Sequence, residues 1–152
     1  MASGAGAVSL HPVFGHTDLQ ASLSRALATG SLPPSLLIHG PRGVGKQRLA
    51  LWLGQLLLCP ESGPEGPCGE CKGCRMAVNL EHPDLHWYFP LAKPKGVRTA
   101  KLAEALEKAR YDTIAERKAR PLRPASAPTE PTGLYLAVAQ TLRFHANRRP
   151  AV

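Results

Sequence analysis

The sequence is marked first by what it lacks. No apolar run approaches the roughly 20 residues that a bilayer-spanning helix needs. The opening Met1 to Ser9 has no basic-then-apolar order of the kind that directs secretion. Both absences predict a cytoplasmic protein. Aromatic residues make up only 5% of the chain. Acids are scarce too, eleven Asp and Glu against nineteen Lys and Arg. Cysteine is missing outside residues 59–74. What is plentiful is turn formers, Gly 14 and Pro 15, in a composition otherwise typical of a soluble globular protein with one core.

The net charge of +8 is unevenly spread. Residues 1–90 carry six basic and six acidic side chains, and residues 91–152 carry thirteen against five. A basic region of this kind attracts nucleic-acid phosphates or acidic protein surfaces, and a solvated basic face with no partner is an equal alternative.

Hydrophobic spacing predicts the elements. Leu19, Leu23, Ala26 and Leu27 recur at helical intervals, with Thr17 or Asp18 as cap and Gly30 as terminator before Pro33-Pro34. A short buried strand over Ser35–His39 follows. A helix from Lys46 to Leu58 would bury Leu49, Leu53, Leu56 and Leu57. A short helical stretch is expected from Arg75 to Leu80, and an aromatic strand over Leu85–Phe89. Strands alternating with helices imply a parallel sheet with helices packed on it. Further on, Thr99–Lys118 reads as a surface-mounted helix carrying a Glu104 to Lys108 pair. Arg120–Thr132 is a Pro-rich linker with too little apolar surface to order itself. Leu134, Val138 and Leu142 space a last helix ending before Asn147.

Two motifs carry chemistry. Gly40-Pro41-Arg42-Gly43-Val44-Gly45-Lys46 stands between an apolar run and a helix, the context of a phosphate-binding loop. Its backbone N–H groups would line a concavity at the helix's positive end, with Lys46 reaching the outer phosphates of a nucleotide such as ATP. Position 47 in such a loop is Ser or Thr, whose hydroxyl ligates magnesium, but here it is Gln47. A loop that binds phosphate without hydrolysis and a structural turn that only keeps the shape both stand open.

The second motif gathers all four cysteines in sixteen residues, Cys59 and then Cys68-Gly69-Glu70-Cys71-Lys72-Gly73-Cys74. Four thiolates complete a tetrahedral zinc site with no open position for water, so zinc would be structural. A disulfide framework conflicts with a reducing compartment, and an iron–sulfur cluster is the remaining rival.

A phosphate loop whose helix ends in Cys59, a Cys-x-x-Cys-x-x-Cys run directly after it, and then His82-Pro83-Asp84 together resemble the AAA+ domain of bacterial DNA polymerase III clamp-loader subunits. The likeness spans about residues 11–91 and includes Phe14-Gly15-His16 and Leu36-Leu37-Ile38-His39-Gly40. The delta-prime type fits better than the gamma/tau type, because Gln47 breaks the loop pattern that gamma/tau subunits keep. The resemblance implies an α/β, P-loop AAA+ nucleotide-binding fold, a parallel sheet with flanking helices, with a zinc module inserted at 59–75. It is expected to be incomplete. The acidic strand, arginine-finger region, lid and collar have no counterpart, which predicts an N-terminal fragment or truncated product. The domain plan is then a flexible 1–10, the partial AAA+ domain at 11–91, a basic insertion at 92–132 and a helix at 133–152 that leads to the acidic-motif strand. The implied function is a clamp-loader subunit with little or no ATP hydrolysis of its own. It would be partnered by other subunits of a hetero-oligomeric ring and, through them, by the sliding clamp and primed DNA. An ATP-hydrolysing gamma/tau-type motor and a zinc-dependent nucleic-acid-binding protein are the alternatives.

Overall fold

The computed structural model describes residues 13–98, 101–120 and 129–148. They form two compact units divided between Leu85 and His86. The first holds α1 (Thr17–Ala28), α2 (Lys46–Leu57) and α3 (Lys72–Val78). The second holds β1 (Leu91–Ala92), α4 (Leu102–Ala119), β2 (Thr132–Gly133) and α5 (Leu136–Ala146).

The first unit is built around α2. Leu49, Trp52, Leu53 and Leu56 lie on one helical stripe and form its buried core, against which Val13, Leu23, Leu27, Leu32 and Ile38 pack. Each fully buried side chain of this size contributes about 1.5–3 kcal/mol. Leu57, expected inside, is 51% exposed. It lies about 100° around the helix from Leu56, off the stripe that Trp52 completes. Neither Thr17 nor Asp18 caps α1. The cap position is His16, in the left-handed region at φ 57°, so Thr17 and Asp18 fall inside the first turn. At the other end Gly30 donates to Leu27 O and Ser31 to Ala26 O, the paired bonds of a Schellman turn. The third helix starts at Lys72, three residues before the expected stretch, because the Cys71 side chain caps it.

The expected parallel sheet is not formed among the described residues. Residues 35–39 and 85–89 carry no ladder. The first of these is also not buried: Leu37 is 88% exposed, Leu36 43%, and only Ile38 reaches the core. A parallel strand satisfies its N–H and C=O groups on neighbours of the same sheet, and neither segment has one here. The sheet that exists is a two-stranded antiparallel one in the second unit, pairing Leu91 with Gly133 and Ala92 with Thr132.

In that unit α4 packs against α5 and β1, with Leu106 1% and Ile114 8% exposed, so it is more deeply seated than a surface-mounted helix. Between them lies Arg110, 7% exposed. Its guanidinium donates twice to Glu107 Oε2, at 2.8 and 3.1 Å, and once to Trp87 O at 3.4 Å. The rings of Tyr88 and Tyr111 lie 4.8 and 4.6 Å from its centre. A buried charge held this way has its solvation replaced by fixed partners. The last helix starts after Tyr135. It buries Val138 but leaves Leu142 40% exposed, and Leu134 precedes it at 61% exposure. Thr99, residues 121–128 of the Pro-rich linker and Arg149 lie outside the described residues.

Candidate metal centre and phosphate loop

Helix α2 ends at Leu57 and delivers Cys59 to the edge of the core, while the turn before α3 and that helix's first residues bring Cys68, Cys71 and Cys74 to the same point. The four Sγ atoms all lie within 4.8 Å of one another. Cys59 and Cys68 are 3.6 Å apart, Cys59 and Cys71 3.9 Å, and Cys68 and Cys74 4.0 Å. None is in a disulfide. A tetrahedron of thiolates at about 2.3 Å from a zinc ion has edges of about 3.8 Å, so the sulfurs already sit at that spacing.

Backbone N–H groups point at the sulfurs. Cys68 N–H donates to Cys59 Sγ at 3.3 Å, Cys71 N–H to Cys68 Sγ at 3.4 Å and Cys74 N–H to Cys71 Sγ at 3.3 Å. Donors in this position favour thiolate over thiol. The Cys74 N–H, acting first, draws the Cys71 thiol below its ordinary value. Cys74 is completely buried, and burial pushes its thiol up to about 12. A cation would therefore take the place of a proton at Cys74. Gln55, buried on α2, hydrogen-bonds the Cys74 thiol. The Arg75 guanidinium donates to Glu70 O at 2.7 Å and closes the turn between Cys68 and Cys74 from outside.

Gly73 explains how the turn fits. A β-carbon there would collide with the Leu58 carbonyl oxygen, so the chain passes too close to the end of α2 for any side chain. His82 is buried, and its Nδ1 accepts from the Asp84 N–H at 3.2 Å, so it belongs to its own turn and not to the thiol group.

The glycine-rich loop leads directly into α2. Gly43 and Gly45 adopt φ 86° and 93°, values that L side chains rarely take, and Gly45 is the cap of the helix. Lys46 Nζ folds back to donate to Gly40 O at 2.9 Å and Pro41 O at 2.7 Å. From α1, His16 Nε2 hydrogen-bonds Val44 O at 2.9 Å and ties the loop down. Arg42 and Gln47 are exposed. The loop and the thiol group are thus brought to opposite ends of one helix. Sequence spacing identified all the cysteines and the loop but not Gln55, His16 or Gly73 as their supports. A glutamine inside an otherwise apolar stripe was the available signal for Gln55.

No helix among the described residues is long and apolar enough to cross a membrane. Similar proteins converge on one family. The family described as DNA polymerase III, delta subunit, matches residues 15–120, more than half the chain. DNA polymerase III subunit delta′ of Pseudomonas aeruginosa is 39% identical over 62 residues, 41% of this chain and 19% of its own length. The delta′ subunit of Bacillus subtilis is 34% identical over 79 residues, 52% of this chain and 22% of its own. Subunit tau of Escherichia coli is 35% identical over 63 residues, 41% of this chain and 10% of its own. The chain thus spans about a fifth of the length of the delta′ relatives it matches. No solved structure matches it. A match that runs from the His16 anchor through the glycine-rich loop and all four cysteines to the end of α4 places the chain in the DNA polymerase III delta-subunit family.

Proposed function

We propose that this chain acts in DNA replication as a delta′-like subunit of the DNA polymerase III clamp loader, with little or no ATP hydrolysis of its own. The observation that carries the reading is the family match over residues 15–120 together with the likeness to delta′ subunits over 62 and 79 residues, combined with Gln47 where a hydrolysing loop needs a hydroxyl. In this reading the first unit is the opening of a P-loop AAA+ domain, and Gly40, Pro41, Arg42, Gly43, Val44, Gly45, Lys46 and Gln47 form its nucleotide loop. Partners are the other subunits of the ring and, through the complex, the sliding clamp and primed DNA.

The thiol group would hold a structural zinc ion on Cys59, Cys68, Cys71 and Cys74. Sulfur spacing, donors aimed at the sulfurs and four ligands with none left over for water support this assignment. The ion would pin α3 to the end of α2 and supply no reaction chemistry. The motor-subunit reading keeps one supporting observation, the similarity to subunit tau.

Calorimetry with ATP, with and without magnesium, separates the two when metal content is read from the same sample. Absent or magnesium-independent binding with one zinc per chain is expected. Tight magnesium-dependent binding would make Gln47 a tolerated substitution and favour the motor.

A further inference from the structure

Helix α4 carries two arginines seven residues apart, each resting on aromatic rings, and they differ in one respect. Arg110 is saturated by Glu107 and Trp87 O. Arg117 lies 4.2 Å from the Phe89 ring centre and 4.8 Å from that of Trp87, yet no carboxylate or carbonyl among the described residues accepts its N–H groups within hydrogen-bond distance. It lines a cleft of about 300 Å³ together with Phe89, Thr129, Glu130 and Thr132. Glu130, the acid in that lining, is neutralised by Lys95 at 2.6 Å. The uncompensated charge facing the cleft is therefore positive. Burial draws the Arg117 guanidinium below its ordinary value, the sign of a cation that has lost water without gaining a full partner, with Glu116 only partly offsetting it.

A planar guanidinium held by its faces keeps its edge free, and that edge matches two oxygens of a phosphate. The cleft lies at the lower end of the size range of small-ligand pockets, enough for one nucleotide unit. Threonine hydroxyls beside the arginine can bond the sugar and exposed base edges of an unpaired nucleotide, whereas a duplex would hide its bases. The basic excess of residues 91–152, thirteen against five, supplies the long-range attraction. We propose that this cleft is a binding site for single-stranded nucleic acid, in which Arg117 grips a backbone phosphate. The site lies in the second unit and does not depend on the clamp-loader reading.

The test is binding of a dye-labelled oligothymidylate to the full chain across a salt series. Arg117→Ala should weaken binding roughly tenfold, and losing one phosphate contact should reduce the salt slope by about 0.7. Arg117→Lys should restore the slope but not the affinity, since an ammonium keeps the charge and loses the fork. Arg143→Ala removes an exposed charge on α5 outside the cleft lining and should change affinity less than about twofold. Far-UV circular dichroism with thermal unfolding reports whether each variant stays folded. If Arg117→Ala unfolds, the lysine variant decides alone, and wild-type affinity in it overturns the proposal. Equal losses in the Arg117 and Arg143 alanine variants, or polyglutamate competing as well as the oligonucleotide does at equal charge, would also overturn it.

Discussion

Gly73 stands where the chain has no room for a side chain, since its β-carbon would meet the carbonyl oxygen of Leu58. Backbone cannot step aside as a side chain can. Gly73→Ala should therefore cost about 1–3 kcal/mol and weaken metal retention, read by denaturant unfolding with metal bound and by chelator competition. Gly54 gives the contrast. Its β-carbon would lie 2.8 Å from Leu85 Cδ1, the free end of a flexible side chain, and alanine is worth up to about 1 kcal/mol over glycine inside a helix. Gly54→Ala should be close to neutral in the same assay. The cysteine spacing is visible to anyone counting residues. That Gly73 is required by contact while Gly54 is not depends on what α2 meets, and no local pattern records it.

At the scale of elements, the turn from Cys68 to Cys74 and the end of α2 meet around four sulfurs whose protons oppose a cation. Without metal, Cys74 is protonated at every pH well below about 12, so metal binding releases that proton. The sign follows directly: affinity falls as pH falls, at least about tenfold per unit, or about 100-fold between pH 8 and pH 6. Zinc competition with a chelator at the two pH values checks it. A flat profile would show that the cysteines do not ligate the ion as thiolates. In the second unit, the segment before β1 holds Tyr88, whose hydroxyl is buried with no partner among the described residues. Burial, with Glu107 nearby, raises its pKa, so the group stays neutral and unsatisfied. Tyr88→Phe should hold stability level or raise it by up to about 1 kcal/mol, measured by thermal unfolding. The α4 helix was legible from its apolar spacing. The burial of Arg110 on it was not, because a charged residue at a core-facing position is explained only by Glu107 and the two tyrosine rings that meet it.

Over the whole molecule, residues 35–39 present apolar side chains to solvent. Leu37 is 88% exposed and Leu36 43%. An exposed apolar segment of this kind is a surface on which another copy can associate. Leu37→Lys should leave the unfolding transition within about 0.5 kcal/mol of wild type and suppress concentration-dependent association, followed by sedimentation velocity. If association persists unchanged, the segment is not its cause. The exposed apolar residues at the end of the second unit, Leu136 and Phe144, then become the surface to test.

Taken alone, the sequence determined the helices, the glycine-rich loop, the thiol group and the family, because each is written in short-range spacing: three and four residues for an apolar stripe, two between paired cysteines, glycines before a lysine. Sheet formation was decided only by the tertiary structure. An apolar run signals that a segment is able to form a strand, but a ladder needs a neighbour to accept its hydrogen bonds, and residues 35–39 and 85–89 have none among the described residues while the shorter β1 and β2 find each other. The same holds for the two stacked arginines of α4. Their identity is plain in the chain, and only packing leaves one satisfied by a carboxylate and the other facing an open cleft.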